Sequence, residues 1–433
     1  MSTSGPEQRF GSLGDWLAYQ QGTHRQSIDL SLERVRAVAA RLGLLARRCP
    51  VVIIGGTNGK GSTATLLAAL LRACGQRVGL FTSPHLLRYN ERIQIDATDV
   101  DDALLMRAFE RIEAARADIT LTFFEYNALA ALEVFARADV TAMVLEVGLG
   151  GRLDATNIID ADVAIVCSIG FDHRDWLGDT LEQIGAEKAG IFRRGGKVIL
   201  GSHEMPESVW QRARELGCEV WAAQRDFHWQ IEAADEARAR WCYSGVGCAL
   251  EQLPAPALAG AIQYRNAATA LTALQLLGIE QRCEYERVAG ALRAVQLPGR
   301  FQIVPGEVEW ILDVAHNEPA AAVLERALAA RSHAGRTLAV MGMLSDKDAS
   351  AVARLLDAQI DHWVLAGIAD EPRGLSAAAL QAKLPPLRGS WELASDISAA
   401  CARARALAVP PDRVLVLGSF HIVGPALAWL GLY

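Results

Sequence analysis

No stretch of this sequence approaches the ~18–20 apolar residues that a membrane span requires. Nor does it open on a basic segment followed by an apolar one, so no secretory leader is expected. Positive charge is in short supply: 43 Lys and Arg stand against 50 Asp and Glu, for a net charge of −7. No Lys/Arg run is longer than a pair, which argues against a nucleic-acid scaffold. The eight cysteines are scattered, at Cys49, Cys74, Cys167, Cys218, Cys242, Cys248, Cys283 and Cys401. No C-x-x-C pair and no nearby histidine spacing suggests zinc, and the pattern fits a reduced, cytoplasmic setting. Cys167 sits in an apolar run and reads as core. No internal repeat is present.

What is present is alternation. At 433 residues, 51% of them apolar, the chain is long for one core, and two domains are expected. Apolar runs alternate with helix-like stretches, the pattern of a largely parallel sheet covered by helices. Val51–Ile54, Val78–Phe81, Ala142–Val147, Val163–Ser168 and Val198–Leu200 read as its strands. Leu66, Leu67, Leu70 and Leu71 form a helical face closed by Gly75. Phe227 to Leu253 reads as antiparallel hairpins at the edge of the first domain. Leu297-Pro298-Gly299-Arg300 breaks the pattern and marks a boundary. A second series follows, with strands at Trp310–Val314, Leu338–Met341, Trp363–Leu365 and Val414–Leu417. The fold class is therefore α/β: an N-terminal P-loop-type domain over residues 1–296 with a mostly parallel sheet, a linker at 297–300, and a smaller Rossmann-like domain at 301–433. The second domain has no G-x-G-x-x-G after its first strand, so a dinucleotide site is not expected there.

Gly55 to Ser62, GGTNGKGS, is the most informative stretch. It follows an apolar strand and precedes a helix, the arrangement that cradles phosphate on backbone N–H groups at a helix N-terminus. Lys60 would reach the terminal phosphates, and Ser62 or Thr63 could face a metal ion. The match to the usual P-loop is imperfect. Ile54 stands where that pattern has Gly, and Gly61 separates Lys60 from the hydroxyl. A tight turn would need only two or three glycines, and four with a central lysine favour nucleotide binding.

In a parallel sheet, ligands gather at the carboxyl ends of the strands. Ser83 follows Phe81, Glu146 lies near the end of its strand, and His173 follows Val163–Ser168. A hydroxyl, a carboxylate and an imidazole suit magnesium except for the imidazole. Singly, Ser83 reads also as a turn residue and His173 as a core histidine. An acidic residue inside an apolar strand, Glu146, is costly unless paired or metal-bound. Lys188, near the C-terminal end of a helix that starts after Thr180, reads by itself as a lysine balancing the helix dipole. Asp313, His316 and Asn317 at a strand end could be an acid–base pair or an Asx-type turn. Phe123 and Phe124 could stack on a flat heterocycle, although such a pair is more often core.

The departure from the ordinary P-loop is itself diagnostic. GTNGKGS resembles the ATP loop of the Mur ligase superfamily, in the wording of its folylpolyglutamate synthase branch. Phe81-Thr82-Ser83-Pro84-His85-Leu86, Glu146 to Asn157, Asp172-His173, Glu187 to Ile191, Leu297 to Arg300 and Asp313 to Asn317 follow in family order, from about residue 30 to residue 424. The sequence is similar to the bifunctional dihydrofolate synthase/folylpolyglutamate synthases. That resemblance implies an ATP-dependent, ADP-forming ligase that adds L-glutamate to dihydropteroate and to tetrahydrofolates through an acyl phosphate. It implies that Thr57, Asn58, Gly59, Lys60, Gly61, Ser62, Asn266, Arg300 and Asp313 bind ATP. Ser83, Glu146 and His173 would hold Mg2+. Lys188 would be carboxylated by carbon dioxide, and His316 would lie beside the nucleotide, with ATP sandwiched between the domains. Asp29, Leu30, Ser31, Leu32, Thr122, Phe123, Phe124, Glu125, Leu153, Asp154 and Ala155 match segments that line a dihydropteroate pocket. The expected catalytic set is Lys60, Lys188 and His316, in a cytoplasmic monomer with no nucleic-acid or membrane partner.

A Mur-type ligase acting on a UDP-linked peptidoglycan precursor is the nearest rival. The Ser83-Pro84-His85 and Gly148–Asn157 wording speaks against it, and so does the lack of room for a uridine domain before Gly55. A GTP-binding switch would need N-K-x-D; Ser345-Asp346-Lys347-Asp348 is the nearest string, and it lies in the wrong domain. The chain departs from the family at Glu318, where proline is usual, and at Ile422 and Phe171.

Overall fold

The computed structural model describes residues 9–26, 28–46, 48–232, 240–279, 283–369 and 371–433. The central strands of the first sheet are runs of apolar residues buried on both faces, which therefore need no polar alternation. Its strands are Val51–Gly55 (β1), Val78–Phe81 (β2), Ile93–Ile95 (β3), Thr98–Asp99 (β4), Ala142–Glu146 (β5), Val163–Val166 (β6), Lys197–Leu200 (β7) and Glu219–Ala222 (β8). They lie in the order β4-β3-β2-β5-β1-β6-β7-β8. All neighbours from β2 to β8 run parallel, and β3 and β4 close one side antiparallel. The register pairs Ile54 with Glu146 and Phe81 with Leu145. The carboxyl ends of β1, β2 and β5 therefore come level, which is where the glycine-rich loop, Ser83 and Glu146 emerge.

The Lys60–Ala73 helix buries the predicted face of Leu66, Leu67, Leu70 and Leu71. It ends on Cys74, with Gly75 beyond it at φ 79°, a conformation that glycine adopts without steric cost. The stretch read as hairpins on the edge of the first domain forms a sheet of its own. Phe227–Ile231 (β9), Arg240–Gly245 (β10) and Cys248–Pro254 (β11) are antiparallel in the order β11-β10-β9. Residues 233–239 of that stretch lie outside the described residues.

The second sheet is Gln302–Val304 (β12), Glu309–Asp313 (β13), Thr337–Met341 (β14), His362–Ala366 (β15), Ser390–Ala394 (β16) and Arg413–Leu417 (β17), ordered β12-β13-β17-β14-β15-β16. Only β12 is antiparallel to its neighbour. The mixed, mostly parallel α/β class is as the sequence indicates. The chain divides into two compact units. One takes the described residues up to Ile169, Thr180–Ala255 and Arg265–Ala294; the other takes Gly170–Asp179, Pro256–Tyr264 and Val295–Tyr433. Gly170–Asp179 and Pro256–Tyr264, which precede Leu297 in the chain, thus group with the second sheet.

The reduced-cysteine expectation fails at one pair. Cys74 and Cys283 form a disulfide, with Cα atoms 4.7 Å apart and 209 residues between them in sequence. Local spacing carries no trace of such a pair, because the fold alone brings its members together. Among the described residues, no helix is long and apolar enough to cross a membrane.

Candidate functional site

The glycine-rich loop is shaped by what lies under it. Gly56 has φ 138°, and a Cβ there would meet the Cys167 backbone nitrogen at 3.0 Å and that of Ser168 at 3.1 Å. Gly59 has φ 88° and is the N-cap of the Lys60–Ala73 helix. With no side chain of its own, it places no side-chain cap on the first N–H groups of that helix, the groups from which an anion accepts. The loop is tied to the end of β6: Thr57 N donates to Ser168 O at 2.7 Å, and Asn58 N donates to Ser168 Oγ at 3.2 Å. Asn266 is buried and brings its Oδ1 to within 3.1 Å of where a Gly59 Cβ would stand.

Two lysines meet on one carbonyl. Lys60 Nζ donates to Gly56 O at 3.0 Å and to Thr57 O at 3.2 Å. Lys188 Nζ donates to the same Gly56 O, also at 3.0 Å. Lys188 closes the Leu181–Lys188 helix, whose capping box of Thr180 and Gln183 fixes where that helix begins. The lysine is 5% exposed. The reading of a surface lysine balancing a helix dipole therefore gives way to a lysine buried beneath the glycine-rich loop.

Glu146 is buried at the end of β5 and accepts from Ser83 N at 3.0 Å through Oε2. A buried carboxylate beside a serine on a strand-end edge is an oxygen donor set that suits Mg2+, which commonly completes its shell with waters and phosphate oxygens. His173 belongs to the second unit, so the structure brings Ser83 and Glu146 together within one unit and holds the imidazole in the other. The buried Arg92, which the sequence did not single out, donates from Nε to His85 Nδ1 at 2.7 Å.

The pterin segments fall into two groups within the first unit. Asp29 Oδ2 accepts from Arg34 Nη1 at 2.8 Å and lies 3.1 Å from His24 Nε2. Arg34 also reaches Glu125 Oε1 at 3.2 Å. Burial pushes the Glu125 carboxyl above its ordinary range, while the Thr122 N–H and Arg34 act against it. Thr122 and Glu125 form a capping box at the start of the Phe123–Arg137 helix. Phe124 packs over Gly148, where a Cβ would stand 2.4 Å from its Cζ. Asp154 is buried and spends both oxygens on its own loop: Oδ2 accepts from Gly148 N and Leu149 N, both at 2.9 Å, and Oδ1 accepts from Thr156 N and Oγ1. Leu30, Ser31, Leu32 and Leu153 are half-buried, and Ala155 is buried.

In the second unit, the Arg300 guanidinium lies 5.0 Å from the centre of the Phe420 ring. Asp313 ends β13 and accepts from Phe301 N at 2.7 Å and from Ala315 N at 2.8 Å. Burial pushes its carboxyl above the ordinary range, with Arg300 opposing. His316 holds Val314 O through Nδ1 at 2.8 Å. Its Nε2 is 3.5 Å from Asp172, which also meets Lys347 Nζ at 2.6 Å. Burial opposes the charge on Asp172, yet His316, His173 and Lys347 together hold its carboxyl far below the usual range. In the sequence, Lys347 stands out only as part of the Ser345–Asp348 string, which does not match a guanine-reading N-K-x-D. Its partner lies 175 residues away, and no local signal announces it.

Residues 54–274 match the Mur ligase middle domain, and residues 299–420 match the Mur ligase, glutamate ligase domain. The dihydrofolate synthase/folylpolyglutamate synthase of Escherichia coli (strain K12) is 43% identical over 411 residues, covering 95% of this chain and 94% of that protein. The chain belongs to the dihydrofolate synthase/folylpolyglutamate synthase family of Mur ligases. Two solved structures of family members follow the chain over nearly its whole length. E. coli FolC in complex with DHPP and ADP has a TM-score of 0.92 and 41% identity, covering 99% of both chains. A bifunctional folylpolyglutamate synthase/dihydrofolate synthase with Mn, AMPPNP and L-glutamate bound has a TM-score of 0.88 and 41% identity, covering 99% of this chain and 100% of that one. Family members thus carry a nucleotide, a divalent metal and glutamate, the ligand set that the ligase reading requires.

Proposed function

We propose that this chain is an ADP-forming ligase that adds L-glutamate to dihydropteroate, giving dihydrofolate, and to tetrahydrofolates, lengthening their glutamate tail. The observation that carries this reading is the hold of Lys60 on the Gly56 and Thr57 carbonyls, at the start of the Lys60–Ala73 helix. A lysine beside a helix N-terminus supplies positive charge where a triphosphate would lie. A substrate carboxylate attacks the γ-phosphorus, ADP leaves, and an acyl phosphate remains. The glutamate amine then adds to the acyl carbon, and phosphate departs from the tetrahedral intermediate. Lys60 stabilises charge on the transferring phosphoryl group. Thr57 to Ser62, Asn266, Arg300 and Asp313 bind ATP in this reading, and His316 lies beside it.

Ser83, Glu146 and His173 are the proposed magnesium ligands; the ion, when bound, neutralises phosphate charge. Lys188 is proposed to react through its neutral amine with carbon dioxide, forming an N–C bond and releasing a proton. The carbamate replaces a cation with an anionic oxygen ligand. Asp29 to Leu32, Thr122 to Glu125 and Leu153 to Ala155 are the proposed pterin-site segments. We further propose that the phosphate, metal and pterin elements lie mainly in residues 1–296, joined through 297–300 to a domain at 301–433, in a cytoplasmic monomer.

The test is nucleoside diphosphate release from the purified full chain with L-glutamate, supplying dihydropteroate and tetrahydrofolate separately, and ATP or GTP in turn. Glutamate-dependent ADP release from ATP with each folate substrate, and no GDP release from GTP, is expected. Failure with both substrates refutes the reading, and success with only one removes the second activity.

A further inference from the structure

One carboxylate organises the strand-end loops of the second unit. Asp172 Oδ1 accepts from Lys347 Nζ at 2.6 Å, and Oδ2 accepts from Asn317 Nδ2 at 2.9 Å. His316 Nε2 stands 3.5 Å from Oδ2. The side chains of Asp172 and Lys347 are 10% and 7% exposed. None of the three donors is oriented by chance. Asn317 is the N-cap of the Glu318–Ala330 helix, and its Oδ1 accepts from Ala320 N at 3.0 Å, so its Nδ2 must face the other way. His316 Nδ1 faces the Val314 carbonyl at 2.8 Å and donates to it, so the opposite nitrogen is presented to Asp172. Lys347 comes from a different loop, after β14.

The two strands do not adjoin. β17 lies between β13 and β14 in the sheet, so the strand ends that carry His316 and Lys347 are about 10 Å apart, twice the inter-strand spacing. Asp172, carried on the Gly170–Asp179 stretch that groups with this unit, spans that gap. A lysine this buried is costly without a counter-charge, and Asp172 supplies one.

We propose that Asp172 is a positioning residue of the ligase, whose carboxylate locks His316, Asn317 and Lys347 into one arrangement before substrate arrives. This rests on the proposed placement of His316 beside the nucleotide. The role is distinct from metal binding, which the reading above gives to the adjacent His173.

Full-length Asp172→Asn, Lys347→Met and the double variant test it. Asp172→Asn keeps the shape and removes the charge. It should lower kcat by about 100-fold, the cost of a small misplacement of reacting groups, with the KM for ATP and the magnesium dependence little changed. Each single change should lower Tm, and the double should lower it by less than their sum, because removing both members of a buried pair relieves the stranded charge. In 15N spectra the His316 Nε2 resonance should move in Asp172→Asn while Nδ1 keeps its proton. Lys347→Met reaches the same carboxylate from the other side and should shift that resonance too, which keeps the test alive if Asp172→Asn does not fold. Additive Tm losses, an unmoved His316 resonance, or an activity loss seen wholly as altered magnesium dependence would each overturn the proposal. The melting and resonance measurements need no turnover, so a wild type inactive on folates would refute the proposed function without touching them.

Discussion

Lys60, Lys188, Glu146 and Ser83 carry the sharpest expectations at the scale of single residues. Lys60→Ala should reduce ligation by roughly 100-fold or more, as for other lost charge-stabilising donors, while the far-ultraviolet spectrum and Tm stay close to wild type. Its side chain contacts only loop carbonyls among the hydrogen bonds described, so the fold loses little. Near-normal turnover in a folded variant would remove Lys60 from the chemistry. Glu146→Gln should cost far more than Ser83→Ala, because a water can replace a hydroxyl but not an anionic ligand. Turnover titrated against magnesium separates the two; an unaltered magnesium requirement in Glu146→Gln would contradict it. Lys188→Arg preserves charge and approximate length but cannot form a stable carbamate. It should be inactive, and mass spectrometry of the native protein under carbon dioxide should show the added carboxyl group. Full activity of the arginine variant would end the carbamate proposal.

Elements show what the sequence could and could not reveal. The central strands were legible because a strand buried on both faces must be apolar throughout, as Val163–Val166 is. The start of the Leu181–Lys188 helix was legible from Thr180, since a cap is a local device. The small antiparallel strands Ile93–Ile95 and Thr98–Asp99 escaped notice because three and two residues hold no period. Asp172 and Lys347 escaped as a pair because their meeting depends on the whole sheet order. Asp154 shows a subtler limit: nothing local in the sequence told that its oxygens hold the backbone of its own loop. The glycine-rich turn gives a prediction at this scale. Gly56→Ala adds a Cβ against the backbone of Cys167 and Ser168 at a φ of 138°. It should cost at least ~1–3 kcal/mol of stability, the range for a residue forced into a sparsely populated backbone region. Urea unfolding measures it, and a midpoint equal to wild type would mean that the loop has more room than its contacts imply.

For the molecule as a whole, the least legible feature is the bond between Cys74 and Cys283. Two cysteines among eight, 209 residues apart, gave no sign in the sequence of belonging together. The bond turns the chain from Cys74 to Cys283 into a closed loop that contains every strand from β2 to β11. The consequence is mechanical. A force applied to the two ends of the protein passes through the sulfur bridge and bypasses everything inside the loop. Stretched between its termini, the oxidised chain should extend by roughly 700 Å less than the reduced one, taking 209 residues at about 3.4 Å each. Single-molecule pulling with and without a thiol reductant reads that difference directly, and equal extensions would mean that the two sulfurs are not joined. The same detour makes the loop tolerant of a cut: a chain nicked inside it stays one piece until it is reduced.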